Sequence, residues 1–108
     1  MKMLVCFVHN DDARTLMKEL TGQGFSVTRL ASTGGFLHGG NATLLLGMED
    51  GDVDRALAVI KEKSSLRKEF MVIPSTLPGY ADSSPTPVQV TLGGATVFIV
   101  DVGEFHKF

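Results

Sequence analysis

Apolar residues fill every position from Met3 to Val8, in the order Met3-Leu4-Val5-Cys6-Phe7-Val8. A short run of this kind predicts a strand over 2–8, apolar on both faces and therefore central in its sheet. His9-Asn10-Asp11-Asp12 follows with helix-start chemistry. Asn10 or Asp11 can cap, and the acids sit at the positive end of the helix dipole. Ala13, Leu16, Met17 and Leu20 recur at i, i+3, i+4 and i+7, which predicts an amphipathic helix over 11–22. Gly22 and Gly24 are its stop signals. Phe25 to Thr33 predicts a second strand. One face carries Phe25, Val27 and Ala31, interrupted by Arg29; the other carries Ser26, Thr28, Leu30 and Ser32. Beyond a glycine-rich connection over 34–40, Ala42 to Met48 predicts a third strand, with Thr43, Leu45 and Gly47 on one face. Glycine inside a strand signals a bulge or a close approach by another group.

Glu49-Asp50-Gly51-Asp52 is turn and cap material, and Val53, Ala56, Leu57 and Ile60 then show helical spacing, predicting a second helix over 52–63. Phe70 to Ile73 predicts a fourth strand. Pro74 to Pro87 is a loop of Pro, Gly, Ser, Thr and Asp, long for a compact domain and suited to a lid, a partner-binding arm, or both. Val88 to Leu92 alternates, Gly93-Gly94 is a two-residue hairpin signal, and Ala95 to Val102 returns as a strand before the tail 103–108. The first four strands and two helices match a ferredoxin-like βαββαβ unit, an α+β fold, with an additional C-terminal hairpin strand. Both helices lie on one sheet face in such a fold. The other face, apolar and bare, predicts an oligomer packed sheet to sheet.

Composition narrows the possibilities. The 108 residues predict a single domain over 1–108, and 44% hydrophobic content is enough for a core without a disulfide or structural metal. Ten Lys and Arg against twelve Asp and Glu give a net charge of −2, so the basic excess that drives DNA or RNA binding is missing. The one cysteine, Cys6, excludes an internal disulfide and a Cys-rich zinc site, and its apolar setting predicts a small buried hydrophobe. Residues 3–8 are too few to span a membrane and lack a signal peptide's basic flank and cleavage site. A cytoplasmic protein without membrane insertion is expected. The histidines, His9, His38 and His106, are far apart, which predicts surface or capping roles. No serine sits at a nucleophile elbow, and Asp11-Asp12 and Glu49-Asp50 read as helix caps. An enzyme is not expected.

Thr33-Gly34-Gly35-Phe36-Leu37-His38-Gly39-Gly40-Asn41 is the feature richest in chemistry. A phosphate-cradling P-loop needs Lys and Ser or Thr after its last glycine, then a helix; here Gly40, Asn41 and a strand follow. No G-x-G-x-x-G opens a helix, so a dinucleotide fingerprint is absent. Two readings stay open. The loop is a mobile hairpin with an exposed phenylalanine, or its backbone N–H groups bind an anion beside a stacking ring, Phe36. Asn41 matches an adenine edge, offering donor and acceptor together, and is equally a common left-handed turn residue. Thr28 by itself is an ordinary β-branched strand residue.

Three separated segments carry a resemblance. Thr28-Arg29-Leu30-Ala31-Ser32-Thr33-Gly34-Gly35-Phe36-Leu37 with Gly40-Asn41-Ala42-Thr43, then Gly93-Gly94-Ala95-Thr96-Val97-Phe98, then Glu104-Phe105-His106, resemble the signature of the PII-like cyclic di-AMP receptor family. The similarity runs over nearly the whole chain. It implies a PII-like homotrimer with ligand sites in the clefts between subunits. It implies a cyclic dinucleotide ligand, cyclic di-AMP, no cofactor, and an unknown downstream protein partner. By the same resemblance Thr28 contacts a phosphate. Gly35, Phe36 and Leu37 line a base pocket, Asn41 reads an adenine edge, and Gly47 admits the nucleotide to the strand. Gly94 and Phe98, of the same or the adjacent subunit, close the site. Ser26 stands where many relatives carry Arg, Lys107 where Gln is usual, and Ser75 to Tyr80 departs from a Pro-Met-Gly-Gly pattern. Losing that Arg weakens binding or changes which nucleotide fits, unless Arg29 or Lys107 compensates. The competing expectations are a PII-like regulator of ATP, ADP or AMP, and a ligand-free protein-interaction module.

Overall fold

The structure, a computed structural model, describes residues 1–30, 41–73 and 86–108. The elements run β1 (Lys2–His9), α1 (Asn10–Gly22), β2 (Val27–Leu30), β3 (Asn41–Met48), a 3-10 turn (Asp50–Asp52), α2 (Val53–Ser64), β4 (Arg67–Ile73), β5 (Thr86–Leu92) and β6 (Ala95–Asp101). Four strands form one sheet in the order β2-β3-β1-β6, every neighbouring pair antiparallel. β1 is central, as its two-sided apolar run predicts.

Parity decides what each face carries. Leu4, Cys6 and Val8 of β1 and Ala42, Leu44, Leu46 and Met48 of β3 are buried on the face that meets the helices. Ala13, Leu16 and Leu20 of α1 and Ala56, Val59 and Ile60 of α2 complete this core, which places both helices on one side. Cys6 is fully buried within it, and burial pushes its thiol pKa up to about 11, because the apolar surroundings disfavour a thiolate. The cap of α1 differs from the predicted one. His9 is the N-cap, its Nδ1 accepting from the Asp11 N–H at 3.2 Å, while Asn10 Oδ1 accepts from Arg29 Nη2 at 3.1 Å.

The fourth strand of the main sheet is β6, not the predicted Phe70–Ile73 segment. That segment lies in β4, which pairs with β5 in a separate two-stranded ribbon, Arg67 opposite Leu92 and Ile73 opposite Thr86. β4 opens with Arg67-Lys68-Glu69, and charges there do not suit a place beside the apolar β1. β6 runs Ala95-Thr96-Val97-Phe98-Ile99-Val100, which does. Gly93-Gly94 is correspondingly not a hairpin turn. It is the corner at which the chain leaves the ribbon for the main sheet, with φ of +82° and +92°.

Candidate functional site

The expected site residues fall into two groups. Thr28 and Gly47 project from the sheet face turned away from the helices, because Thr28 pairs with Leu45, Gly47 with Met3, and both pairs share one parity. They line a groove of about 360 Å³ with Met3, Ser26, Leu45 and Phe105. Gly47 sits in regular register, so the bulge reading is not met. A Cβ at 47 would meet nothing within 4 Å, which leaves open space above the strand at that point. The groove offers two hydroxyls, from Ser26 and Thr28, on an otherwise apolar floor.

Asn41 and Gly94 belong to a second cavity, of about 560 Å³, shared with Phe7, His9, Leu66 and Thr96. Asn41 is the first residue of β3 and lies opposite His9 in the register. It is strand, not a left-handed turn residue; among the described residues only glycines have positive φ. The Gly94 N–H donates to the Ser64 carbonyl and ties this wall of the cavity to the end of α2. The cavity thus presents an amide, an imidazole, a hydroxyl and glycine backbone, and among the described residues no Lys or Arg lines either it or the Thr28 groove. Phe98 lines neither. It stands on the outer sheet face, 47% exposed, edge-on to Phe7 with ring centroids 6.0 Å apart. Gly35, Phe36 and Leu37 lie outside the described residues.

Two features escaped the sequence reading. His9 does cap α1, but it also lines the cavity of Asn41; the signal was its place two residues beyond Phe7 on the strand's outer face. Asp12 does not act as a cap. Its side chain is 8% exposed and holds Arg67 in a two-pronged ion pair, Nη2 to Oδ1 at 2.9 Å and Nη1 to Oδ2 at 3.2 Å. Asp12 lies one turn before Leu16 and two before Leu20 on the buried stripe of α1, so its carboxylate needed a cation. Among the described residues no three His, Cys, Asp or Glu side chains gather as a metal site, and no helix is long and apolar enough to cross a membrane.

Comparison with known proteins bears on this geometry. The model of a family described as "Cyclic-di-AMP receptor" matches residues 1–108. Among solved structures, the chain is similar to a functionally unknown protein from Pediococcus pentosaceus ATCC 25745, with 36% identity and a TM-score of 0.80. The match covers 99% of this chain and 96% of that one.

Proposed function

This chain belongs to the cyclic-di-AMP receptor family, and from that premise we propose that it is a non-enzymatic receptor holding cyclic di-AMP between the protomers of a homotrimer. The observation that carries this is the division of the site. Asn41 and Gly47 are six residues apart on one strand, about 20 Å at the rise of a β-strand. Thr28 and Gly47 open one groove, and Asn41 and Gly94 another. A single ligand touching both sets is accommodated when each protomer lends one half-site to its neighbour. The outer sheet face, with Met3, Val5, Phe7, Leu45, Phe98 and Val100, is an apolar patch of the kind that marks an interface.

In this arrangement Thr28 donates its hydroxyl to a phosphate and Asn41 pairs with an adenine edge. The open space at Gly47 takes the nucleotide against the strand. Gly35, Phe36 and Leu37 supply the base pocket, and Gly94 and Phe98 close it. Occupancy passes to a protein partner through the connections the ligand touches. Stacking of this type contributes about 1–3 kcal/mol per base.

Ser26 supports a second reading, an AMP, ADP or ATP regulator, since it offers only a hydroxyl beside Thr28. Among the described residues neither lining includes Lys or Arg, which weighs against a triphosphate. Calorimetry with cyclic di-AMP tests the proposal, alongside light scattering for the oligomeric state. A trimer that binds about one ligand per protomer is expected. A monomer, or no binding at tens of micromolar while AMP, ADP or ATP raises the Tm, overturns it.

A further inference from the structure

The β4–β5 ribbon meets the body of the molecule at its root. Among the described residues, its strands hydrogen-bond as a sheet only with each other. At that root Arg67, the first residue of β4, reaches the buried carboxylate of Asp12 with both arms of its guanidinium. Two parallel bonds fix an orientation as well as a distance, which a lone ammonium does not do. Gly93 closes the third side. A Cβ there would lie 2.6 Å from Arg67 Nη1, 2.6 Å from the Ser65 carbonyl and 3.3 Å from Asp12 Oδ2, so only glycine lets the chain pass over the pair. Next to it the Gly94 N–H binds the Ser64 carbonyl. The same two glycines form a wall of the cavity that holds Asn41, and His9 forms another part of that lining. His9 in turn caps the helix turn that carries Asp12.

We infer that the Asp12–Arg67 pair is a positioning latch for nucleotide binding. It sets the angle at which the ribbon leaves the body, and so holds the Gly93–Gly94 wall at a fixed distance from Asn41. Asp12 and Arg67 are positioning residues, and neither lines the cavity itself. The inference rests on the proposal that the Asn41 cavity is part of the nucleotide site. Its mechanical half, the link between the pair and the ribbon, stands independently of any ligand.

The experiment compares wild type with Arg67→Lys, which keeps the charge and loses the fork, and Asp12→Asn, which keeps the shape and loses the charge. A Val59→Ala core variant, remote from the latch, serves as a control for general destabilisation. Two readouts are taken on each full-length protein: cyclic di-AMP affinity by calorimetry, and amide hydrogen exchange without ligand. Arg67→Lys is expected to weaken binding roughly three- to thirtyfold and to speed exchange over 67–73 and 86–92. β1 and β3 should stay protected, and Val59→Ala should change neither the affinity nor the ribbon. If Asp12→Asn does not fold, Arg67→Lys carries the test. Wild-type affinity in Arg67→Lys overturns the latch. If wild type itself fails to bind cyclic di-AMP, the proposed ligand falls, and hydrogen exchange still decides the latch: unchanged ribbon exchange in Arg67→Lys rejects it.

Discussion

Thr28 and Phe98 stand at the two ends of one transverse row of the sheet. Thr28 pairs with Leu45, Leu45 with Val5, and Val5 with Phe98, all on the face turned from the helices. Three interstrand steps put about 14 Å between the ends of the row. Leu45 and Val5, both half-buried, fill the middle. In the proposed trimer, a ligand on Thr28 would therefore meet the Phe98 ring of a neighbouring protomer rather than that of its own.

Subunit complementation tests this directly. Gly47→Leu should fill the Thr28 groove, since a Cβ there meets nothing within 4 Å, and the variant's Tm checks that the fold is kept. Asn41→Ala should remove the amide from the other half-site. Each variant alone should bind cyclic di-AMP weakly. Refolded together in equal amounts, the pair should recover about a quarter of the wild-type sites, the share of interfaces that combine two intact halves. A mixture no better than its parents would put both halves in one protomer.

Ser26 and Thr28 present hydroxyls side by side in a groove to which, among the described residues, no Lys or Arg contributes. Ser26→Arg should bring a guanidinium to the phosphate, and charge-assisted bonds are stronger than neutral ones. Affinity should rise about tenfold at low salt and fall more steeply as salt is added. Calorimetry at two ionic strengths checks both. Equal affinity and equal salt dependence would place the phosphate away from Ser26.

The parity of β1 and β3 was legible residue by residue. Leu4, Cys6 and Val8 on one face, and Thr43, Leu45 and Gly47 on the other, follow from alternation alone. The neighbours of a strand are a different matter. Val88 to Leu92 alternates well enough to pair with either flank, and Gly93-Gly94 looks like a hairpin turn on sequence alone. The corner at Gly93 lies close against Arg67 and Asp12, residues 26 and 81 positions away in the chain and beyond any local pattern. The candidate site was half legible for the same reason. Counting puts Thr28 with Ser26 on one face of its strand and Gly47 with Leu45 on one face of theirs, whereas the register that turns these faces the same way, and the meeting of Asn41 with Gly94, depend on how the strands pair.

Glycine 93 should be irreplaceable where glycine 22 is not. Gly93 has φ of +82°, and a Cβ would come within 2.6 Å of the Ser65 carbonyl, a backbone atom that cannot rotate away. Gly93→Ala should cost at least about 2 kcal/mol and lower the Tm by roughly 10 °C. Gly22 ends α1 with nothing within 4 Å of its Cβ position. Gly22→Ala should leave the Tm unchanged or raise it, by up to about 1 kcal/mol of helix propensity. Thermal unfolding of the two variants side by side is the measurement, and equal stability of Gly93→Ala with wild type would refute the packing described at the corner.

Cys6 makes a prediction about pH. Its thiol pKa is pushed up to about 11 in the folded protein from an ordinary 9.0, because burial disfavours the thiolate. The folded state holds this proton more tightly than the unfolded state does. Below pH 9 both states keep it and stability is unaffected. Between pH 9 and about 11 the unfolded chain releases it first, so stability falls as pH rises through that window. The loss attributable to Cys6 is on the order of 2–3 kcal/mol. Cys6→Ala lowers stability at neutral pH by leaving a cavity, yet its stability curve should be flatter than wild type from pH 9 upward. Denaturant unfolding across that range compares the slopes, with Lys2 and its Asp101 partner common to both proteins. The same burial should keep the native thiol nearly unreactive to a disulfide-exchange reagent at pH 8, with prompt reaction once denaturant is added. Rapid labelling of the folded protein would mean that the strand carrying Cys6 opens far more often than a central strand should.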